Sequence, residues 1–250
     1  MKYLLHLAMV SWLLVGSALG QDPLKVAPEA YQLDFENEWV RVIRVHYSPH
    51  VNLPVHDHTQ WGAAYVYLNE SGPIIFKHIG PDSGPITRPP TKTGSFRLYR
   101  AIKEVHEVEN PNDTPSDFLR VEFKTEVAGE KTLRGRYHRE IYPAGENYSK
   151  VQFENEQVRI TRLVCAPGKT LEVSTNTREP ALLVALAAAA LRSRGEKSAT
   201  TQLALKMGQS RWVDTGRQER LENVGTNSAE FLRFEFKTKP SSTSPQSESH

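Results

Sequence analysis

The sequence is poor in cysteine, and Cys165 is the single thiol among 250 residues. One thiol cannot form an internal disulfide, so the fold must be held together by its core or by a metal. Cys165 stands in the stretch "RLVCAPG", which is typical of the end of a buried strand. We therefore interpret it as a small buried apolar residue rather than as a reactive nucleophile.

The chain also lacks an excess of charge of either sign, since 31 basic and 29 acidic side chains give a net charge of +2. Such a balance gives no reason to expect nucleic acid or an anionic membrane surface as a partner. Glycine-rich phosphate-binding loops and the G-x-S-x-G motif are absent as well. No signature of a nucleotide-binding protein or of a serine hydrolase is therefore present.

Long apolar runs are scarce. The one at the N-terminus, "YLLHLAMVSWLLV" at 3–15, is shorter than the roughly 20 residues that span a bilayer. Lys2 precedes this run, and the small residues Ala18 and Gly20 follow it. This pattern predicts a signal peptide, export to the periplasm or the extracellular space, and no membrane insertion after its removal.

An internal repeat is the most informative feature of the remaining chain. The stretch "FENEWVRVIRVHYSPH" (35–50) matches "FENEQVRITRLVCAPG" (153–168) at an offset of 153 − 35 = 118 residues. Later, "HEVENPNDTPSDFLRVEFKT" (106–125) matches "ERLENVGTNSAEFLRFEFKT" (219–238) at an offset of 219 − 106 = 113 residues. The two matches occur in the same order, which indicates a duplicated domain.

The repeat predicts the division of the chain into parts. We expect a signal peptide at 1–20, a first copy at 28–126, a polar connector at 127–145, a second copy at 146–238 and a disordered tail at 239–250. The tail is rich in serine and proline and has no aliphatic residue, so it has nothing to bury.

Within each copy the periodicity is that of β-strands. "WVRVIRVHY" and "DFLRVEFKT" alternate apolar and polar residues, and turn-forming residues recur at intervals of about ten residues, as in an all-β barrel or sandwich. The stretch "ALLVALAAAALRSR" (181–194) has a high helix propensity. The repeat aligns it with a strand of the first copy, and we predict strand there because tertiary context often overrides local propensity.

Three histidines of the first copy form a candidate metal site. His56 and His58 are separated by one residue and would face the same side of a strand. His106 lies late in the same copy, on another predicted strand. Three imidazoles that converge inside a small barrel suit a divalent first-row metal such as Fe, Mn, Ni or Zn.

The His-x-His pattern, followed by a third histidine and Asn110 four residues after it, resembles the cupin superfamily. The nearest likeness is to small cupins of the quercetin-dioxygenase-like group. The resemblance covers both copies and implies two tandem jelly-roll barrels, a bicupin. It also implies a metal-dependent enzyme with dioxygenase or isomerase chemistry. The fourth ligand of the family, a glutamate, would fall at Gly62 or Ala63, which cannot bind a metal, so Gln60 is the nearest substitute.

The second copy lacks all three imidazoles. Ser174, Asn176 and Glu219 stand where the first copy has His56, His58 and His106. We therefore predict an active first barrel and a second barrel that serves as a scaffold. The dipeptide Glu-Asn at 109–110 is kept at 222–223, which indicates a structural turn in both copies.

Further side chains are candidates for the wall of a pocket, whereas His78 is interpreted as a residue of a strand surface. Two functions remain open: a metal-dependent enzyme that acts on a small organic molecule, or a module that binds a small ligand or a protein with a degenerate metal site. A homodimer is also expected, because cupins often pair. The pocket candidates are Trp61, Tyr65, Tyr67, Arg97 and Tyr99.

Overall fold

A computed structural model describes residues 21–58, 61–80, 84–173, 179–195, 199–216 and 219–242. The predicted signal peptide, Gln60, Ser174 and Asn176 lie outside the described residues. Strands make up 54% of the structure, and the predicted all-β class is confirmed. Among the described residues, no helix is both long and apolar enough to cross a membrane.

The first half begins with a short helix and continues as two sheets. One sheet has the strand order β1-β2-β9-β4-β7-β10, and the other has the order β3-β8-β5-β6. The elements are α1 (Pro23–Val26), β1 (Tyr31–Glu36), β2 (Val40–Tyr47), β3 (Asn52–His58), β4 (Ala63–Tyr67), β5 (Ile74–His78), β6 (Pro85–Arg88), β7 (Phe96–Tyr99), β8 (Glu104–Glu109), β9 (Ser116–Phe123) and β10 (Gly135–Tyr137).

The second half repeats this arrangement, with sheets of order β11-β12-β19-β14-β17 and β13-β18-β15-β16. A register shift lies between Leu33 and Phe35 in the first half and between Val151 and Phe153 in the second, at matching positions of the repeat. The elements are β11 (Tyr148–Glu154), β12 (Val158–Cys165), β13 (Thr170–Glu172), β14 (Ala181–Ala185), β15 (Ala189–Gly195), β16 (Thr201–Leu205), β17 (Ser210–Val213), β18 (Glu219–Asn223) and β19 (Ala229–Phe236).

The predicted strand at 181–194 is confirmed, since β14 and β15 occupy it. β14 is buried along its whole length between β17 and β19. Burial on both faces of the sheet explains why helix propensity does not decide the conformation here. The predicted connector contributes β10, which extends the larger sheet of the first half by pairing with β7.

The Glu-Asn turn that occurs in both halves has the structural role that the sequence predicts. The side-chain amide of Asn110 donates to the backbone oxygens of Tyr47, Ser48 and Thr114, each at 3.0 Å. Asn223 donates in the same way to the backbone oxygen of Cys165 at 2.8 Å and to that of Asn227. Both asparagines are fully buried, so these hydrogen bonds satisfy backbone groups that would otherwise lack partners.

The interiors of the two halves differ in chemistry. The second half is filled by aliphatic side chains such as Leu171, Leu183 and Leu191, and Cys165 is buried among them as predicted. The corresponding cluster of the first half contains several tyrosines, including Tyr31, Tyr47 and Tyr65. A third apolar cluster joins the two larger sheets to each other. The first half therefore carries buried tyrosine hydroxyl groups, which the apolar cluster of the second half lacks in its described part.

Candidate metal centre

The three predicted histidines lie side by side in the interior of the first half. β3 and β8 are antiparallel, and their register places His56 directly opposite His106. A register shift between Leu53 and His56 precedes this pair. His58 lies two residues further along β3 and faces the same side. One ring nitrogen from each of the three histidines lies within 4.8 Å of the other two.

The surroundings of His56 fix its tautomer. Its Nδ1 lies 2.8 Å from the backbone oxygen of Pro54, which can only accept a hydrogen bond, so Nδ1 carries the proton. Nε2 therefore has a free lone pair, and the hydroxyl of Tyr31 donates to it at 2.9 Å. A backbone acceptor behind one ring nitrogen is the usual way in which a protein orients a metal-binding imidazole.

The other two histidines carry buried nitrogens without partners. Nδ1 of His58 and both ring nitrogens of His106 have no hydrogen bond within the described part of the chain. Both side chains are almost fully buried. An unpaired polar atom in such a place lowers stability, whereas a metal ion would satisfy these lone pairs. The residues present therefore fit a divalent metal.

Burial also keeps the three imidazoles neutral, which is the form that binds metal. It lowers the pKa of His56, and it lowers the pKa of His58 well below its ordinary value. For His106, burial and then the neighbouring His56 and His78 lower the pKa to about 2. Arg120 lies close enough to oppose protonation of all three.

The stability of the metal-free protein should fall on acidification. Because the folded pKa values lie below the ordinary value of 6.5, the histidines contribute fully above pH 6.5, and their contribution is lost as the pH falls below it. At pH 5 the unfolded chain protonates these histidines and the folded protein does not. Compared with pH 7, each such histidine therefore lowers the free energy of unfolding by up to about 2 kcal/mol. Denaturant unfolding at pH 7 and at pH 5 measures this loss. Glutamine cannot take up the proton, so His106→Gln should make the loss between pH 7 and pH 5 smaller by up to about 2 kcal/mol. A loss as large as that of the unaltered protein would contradict the conclusion that burial keeps His106 neutral.

A second group of ligating atoms adjoins the first and shares His106 with it. One atom each from His78, Glu104 and His106 lies within 4.8 Å of the others, and Nε2 of His78 is 3.4 Å from the carboxylate of Glu104. The interpretation of His78 as a surface residue is therefore wrong, because β5 pairs with β8 and places His78 opposite His106. Glu104 supplies a carboxylate next to the triad, whereas Gly62 and Ala63 are buried without any ligating atom.

A cavity of about 60 Å³ opens beside these groups. Of the predicted pocket residues, Tyr65, Arg97 and Tyr99 line it. Burial and then the nearby Glu104 raise the pKa of Tyr99. The guanidinium of Arg97 lies 4.7 Å from the centre of the Tyr65 ring, and its Nε has no hydrogen bond within the described residues.

Two other predicted pocket residues do not line this cavity. Trp61 lies against Arg41 and Lys124, whose charges are 5.8 and 5.5 Å from its ring centre. Tyr67 is on the same face of β4 as Tyr65 but one pleat further along, and it lines a separate cavity. Alternation in the sequence predicts which side of the sheet a residue faces, but not which residues along the strand line a given cavity.

A buried ion network supports the wall behind the histidines. Glu122 accepts from Nε of Arg41 and from Nε of Arg120, both at 2.7 Å. Arg120 also donates to the hydroxyl of Tyr65, which faces the cavity. The two arginines lower the pKa of Glu122, although burial alone would raise it. The carboxylate therefore stays ionised and holds Arg120 in place.

The second half has no comparable centre in its described part. At the position of His106 it has Glu219, which is buried and bound by Arg211 through two contacts of 2.7 Å and by the hydroxyl of Ser193. In the second half, an ion pair and aliphatic side chains thus occupy the part of the interior that corresponds to the histidine site of the first half. The scaffold role of this half stays a prediction, because the positions of Ser174 and Asn176 lie outside the described residues.

Comparison with known proteins finds likeness in structure only. No family model matches the sequence. No curated protein matches it either. A variant of the oxalate decarboxylase of Bacillus subtilis is 11% identical, with a TM-score of 0.55 over 81% of this chain and 70% of that chain. A variant of the salicylate 1,2-dioxygenase of Pseudoaminobacter salicylatoxidans is also 11% identical, with a TM-score of 0.52 over 80% and 72% of the two chains.

A third solved structure carries the family name itself. The Cupin 2 conserved barrel domain protein of Leptotrichia buccalis is 12% identical, with a TM-score of 0.51 over 83% of this chain and 88% of that chain. At such identities the likeness establishes the fold and not the reaction. The match to oxalate decarboxylase extends over most of both chains. The chain therefore has the cupin fold, as the sequence resemblance predicts.

Proposed function

We propose that the first half is a cupin barrel with the active site of an exported, metal-dependent enzyme that acts on a small carboxylic acid, and that the second half is a duplicated barrel without a site. The observation that supports it best is the set of buried, neutral imidazoles with unpartnered nitrogens beside a cavity. Such nitrogens are unfavourable in a folded protein unless a ligand satisfies them.

The ligand set favours a borderline transition metal. His56, His58 and His106 offer three neutral nitrogens, and Glu104 offers a carboxylate that adjoins His106. Imidazole with one carboxylate suits Fe, Mn, Ni or Zn. When bound, such an ion supplies Lewis acidity or, if it is iron or manganese, chemistry with dioxygen. The chain itself keeps the imidazoles neutral, shields them from water and orients His56 through Pro54.

The cavity indicates the class of substrate. Its volume of about 60 Å³ has room for only a few water-sized groups, so the substrate must be small unless side chains move. Arg97 lines it with an unpartnered Nε, and a guanidinium is well suited to bind a carboxylate. Two structurally similar proteins are named for the carboxylic acids oxalate and salicylate.

The proposed protein is exported, acts on a small molecule and forms a homodimer. The N-terminal segment at 1–20 has the pattern of a signal peptide, which would direct export. The balanced charge supports a small molecule rather than nucleic acid as the partner. Two chains would pair as a homodimer, for which the molar mass of the purified protein in solution is the direct measurement.

The test begins with the untagged protein purified after export. Elemental analysis should find close to one first-row metal ion per chain. The metal-free protein is then reloaded with Fe(II), Mn(II), Ni(II) or Zn(II) and given a panel of small carboxylic acids, with and without dioxygen. We expect one combination to consume its acid. Arg97→Gln should lose most of this activity while it retains the metal, and Arg97→Lys should retain more of it because the positive charge remains.

Two outcomes would contradict the proposal. A folded protein that binds none of the four metals has no metal centre. A protein that binds metal but leaves every acid unchanged is better described by the alternative, a module that binds a ligand or a protein without turnover.

A further inference from the structure

A second and larger cavity lies on the other side of Arg97. Its volume is about 530 Å³, within the range of small-molecule binding sites. The end of β4, the segment after β6 and the connector strand β10 enclose it. None of the three histidines lines it, and Arg88, which does line it, does not line the histidine cavity.

Arg88 is a buried cation that has no ion pair with any carboxylate in the part of the chain that the structure describes. Its side chain is almost fully buried, with one nitrogen donating to the hydroxyl of Ser116 at 2.7 Å. Nε and the other terminal nitrogen have no hydrogen bond, and no carboxylate of the described residues forms an ion pair with it. The guanidinium lies over the rings of Tyr67 and Phe118, at 5.2 and 5.4 Å from their centres. Ring contacts of this kind offset only part of the free energy required to bury a charge.

Further positive charges surround the same cavity. β7 and β10 pair so that Arg97 lies directly opposite Arg136, and like charges in this position repel each other. Lys92 also lines the cavity, whereas the acidic residue among the described lining residues is Glu70, which is exposed. The charge of Arg139 is already compensated, since its terminal nitrogen lies 2.6 Å from the carboxylate of Glu230.

We propose that this cavity is a second binding site that takes a small organic anion, with a carboxylate or phosphate group held between Arg88 and Arg136. An oxyanion there would satisfy the unpartnered nitrogens of Arg88 and relieve the repulsion between Arg97 and Arg136. The rings of Tyr67 and Tyr137 in the wall suit an organic body attached to the anionic group. The site does not depend on a metal, because Arg88 and Arg136, which would hold the anion, do not line the histidine cavity.

Calorimetric titration of the protein expressed from the full chain tests this site. Inorganic phosphate, phenyl phosphate and benzoate serve as probes at constant ionic strength in chloride, so that general screening is the same throughout. We expect saturable binding of one molecule per chain for at least one probe. Tighter binding of phenyl phosphate than of inorganic phosphate would support the role of the rings, and tighter binding of benzoate than of phenyl phosphate would identify a carboxylate site.

Variants separate this site from the metal centre. Arg88→Met, which keeps an apolar side chain over Tyr67, and Arg136→Gln, at an exposed position, should each weaken binding at least tenfold. Arg134→Gln is the matched control, because Arg134 is exposed on the same connector but does not line the cavity. His106→Ala should leave anion binding unchanged. The proposal is overturned if no probe binds, if Arg134→Gln weakens binding as much as Arg136→Gln does, or if His106→Ala alone abolishes it.

Discussion

Replacement of His106 by alanine should weaken the binding of a divalent metal more than about a hundredfold, because even the loss of a group that only orients a ligand weakens binding by ~10–100-fold. His106 is the single residue common to both groups of ligating atoms, and it comes from a different strand than His56 and His58. Its removal leaves two donors in each group, His56 with His58 and His78 with Glu104, and two donors are too few for a stable site. Competition with a chromogenic chelator measures the dissociation constant.

His46→Ala is the matched control for this measurement. His46 is a histidine of the same half, but its side chain is partly exposed and its Nδ1 lies 2.6 Å from the carboxylate of Asp117. It should leave metal affinity unchanged, and both variants should remain folded in the absence of metal. Equal affinities of His106→Ala and the unaltered protein would show that the metal, if bound, lies elsewhere in the chain.

The histidine triad could be predicted from sequence because two rules act together. Alternation on a strand places His56 and His58 on one face, and the repeat shows that these positions and His106 differ together between the copies. The register that puts His56 opposite His106 was not predicted. Pro54 lies within the shift after Leu53 and is compatible with an irregularity there, but it does not give the size of the shift.

Glu104 and His78 were missed for different reasons. Glu104 is two residues before His106 on β8, so alternation alone places both on one face, but the family pattern puts its carboxylate near Gly62 and not on β8. His78 lies on β5, and its place depends on the sheet order β3-β8-β5, in which neighbours in space are distant in sequence. Local patterns carry no information on such an order.

The strand β10 in the connector could not be predicted from the periodicity of the sequence either. β10 has only three residues, too few to show an alternation, and glycine begins it. It nevertheless encloses the second cavity and brings Arg136 opposite Arg97. A segment that composition marks as a polar linker thus supplies part of a candidate binding site.

Glu122→Gln should lower the free energy of unfolding by roughly 3–5 kcal/mol at pH 7, the usual effect of breaking a buried ion pair. Glu122 is fully buried, and both of its oxygens accept from arginines, so its neutral replacement leaves Arg41 and Arg120 as buried cations without a counter-ion. Denaturant unfolding measures the change. Because the folded pKa of Glu122 is lowered, its contribution is present above the ordinary value of 4.5 and is lost as the pH falls below it. The difference between variant and unaltered protein should therefore shrink in acid.

The second half supplies the matched variant for this experiment. Glu235 corresponds to Glu122 in the repeat, and it lies 3.1 Å from Arg233 and 4.0 Å from Arg159. The side chain of Arg159 is 31% exposed, whereas that of Arg41 is 10% exposed, so water can solvate a cation left there. Glu235→Gln should therefore destabilise the protein less than Glu122→Gln. An equal loss in both would mean that neither the deeper burial of Arg41 nor the shorter contacts of Glu122 determine the effect.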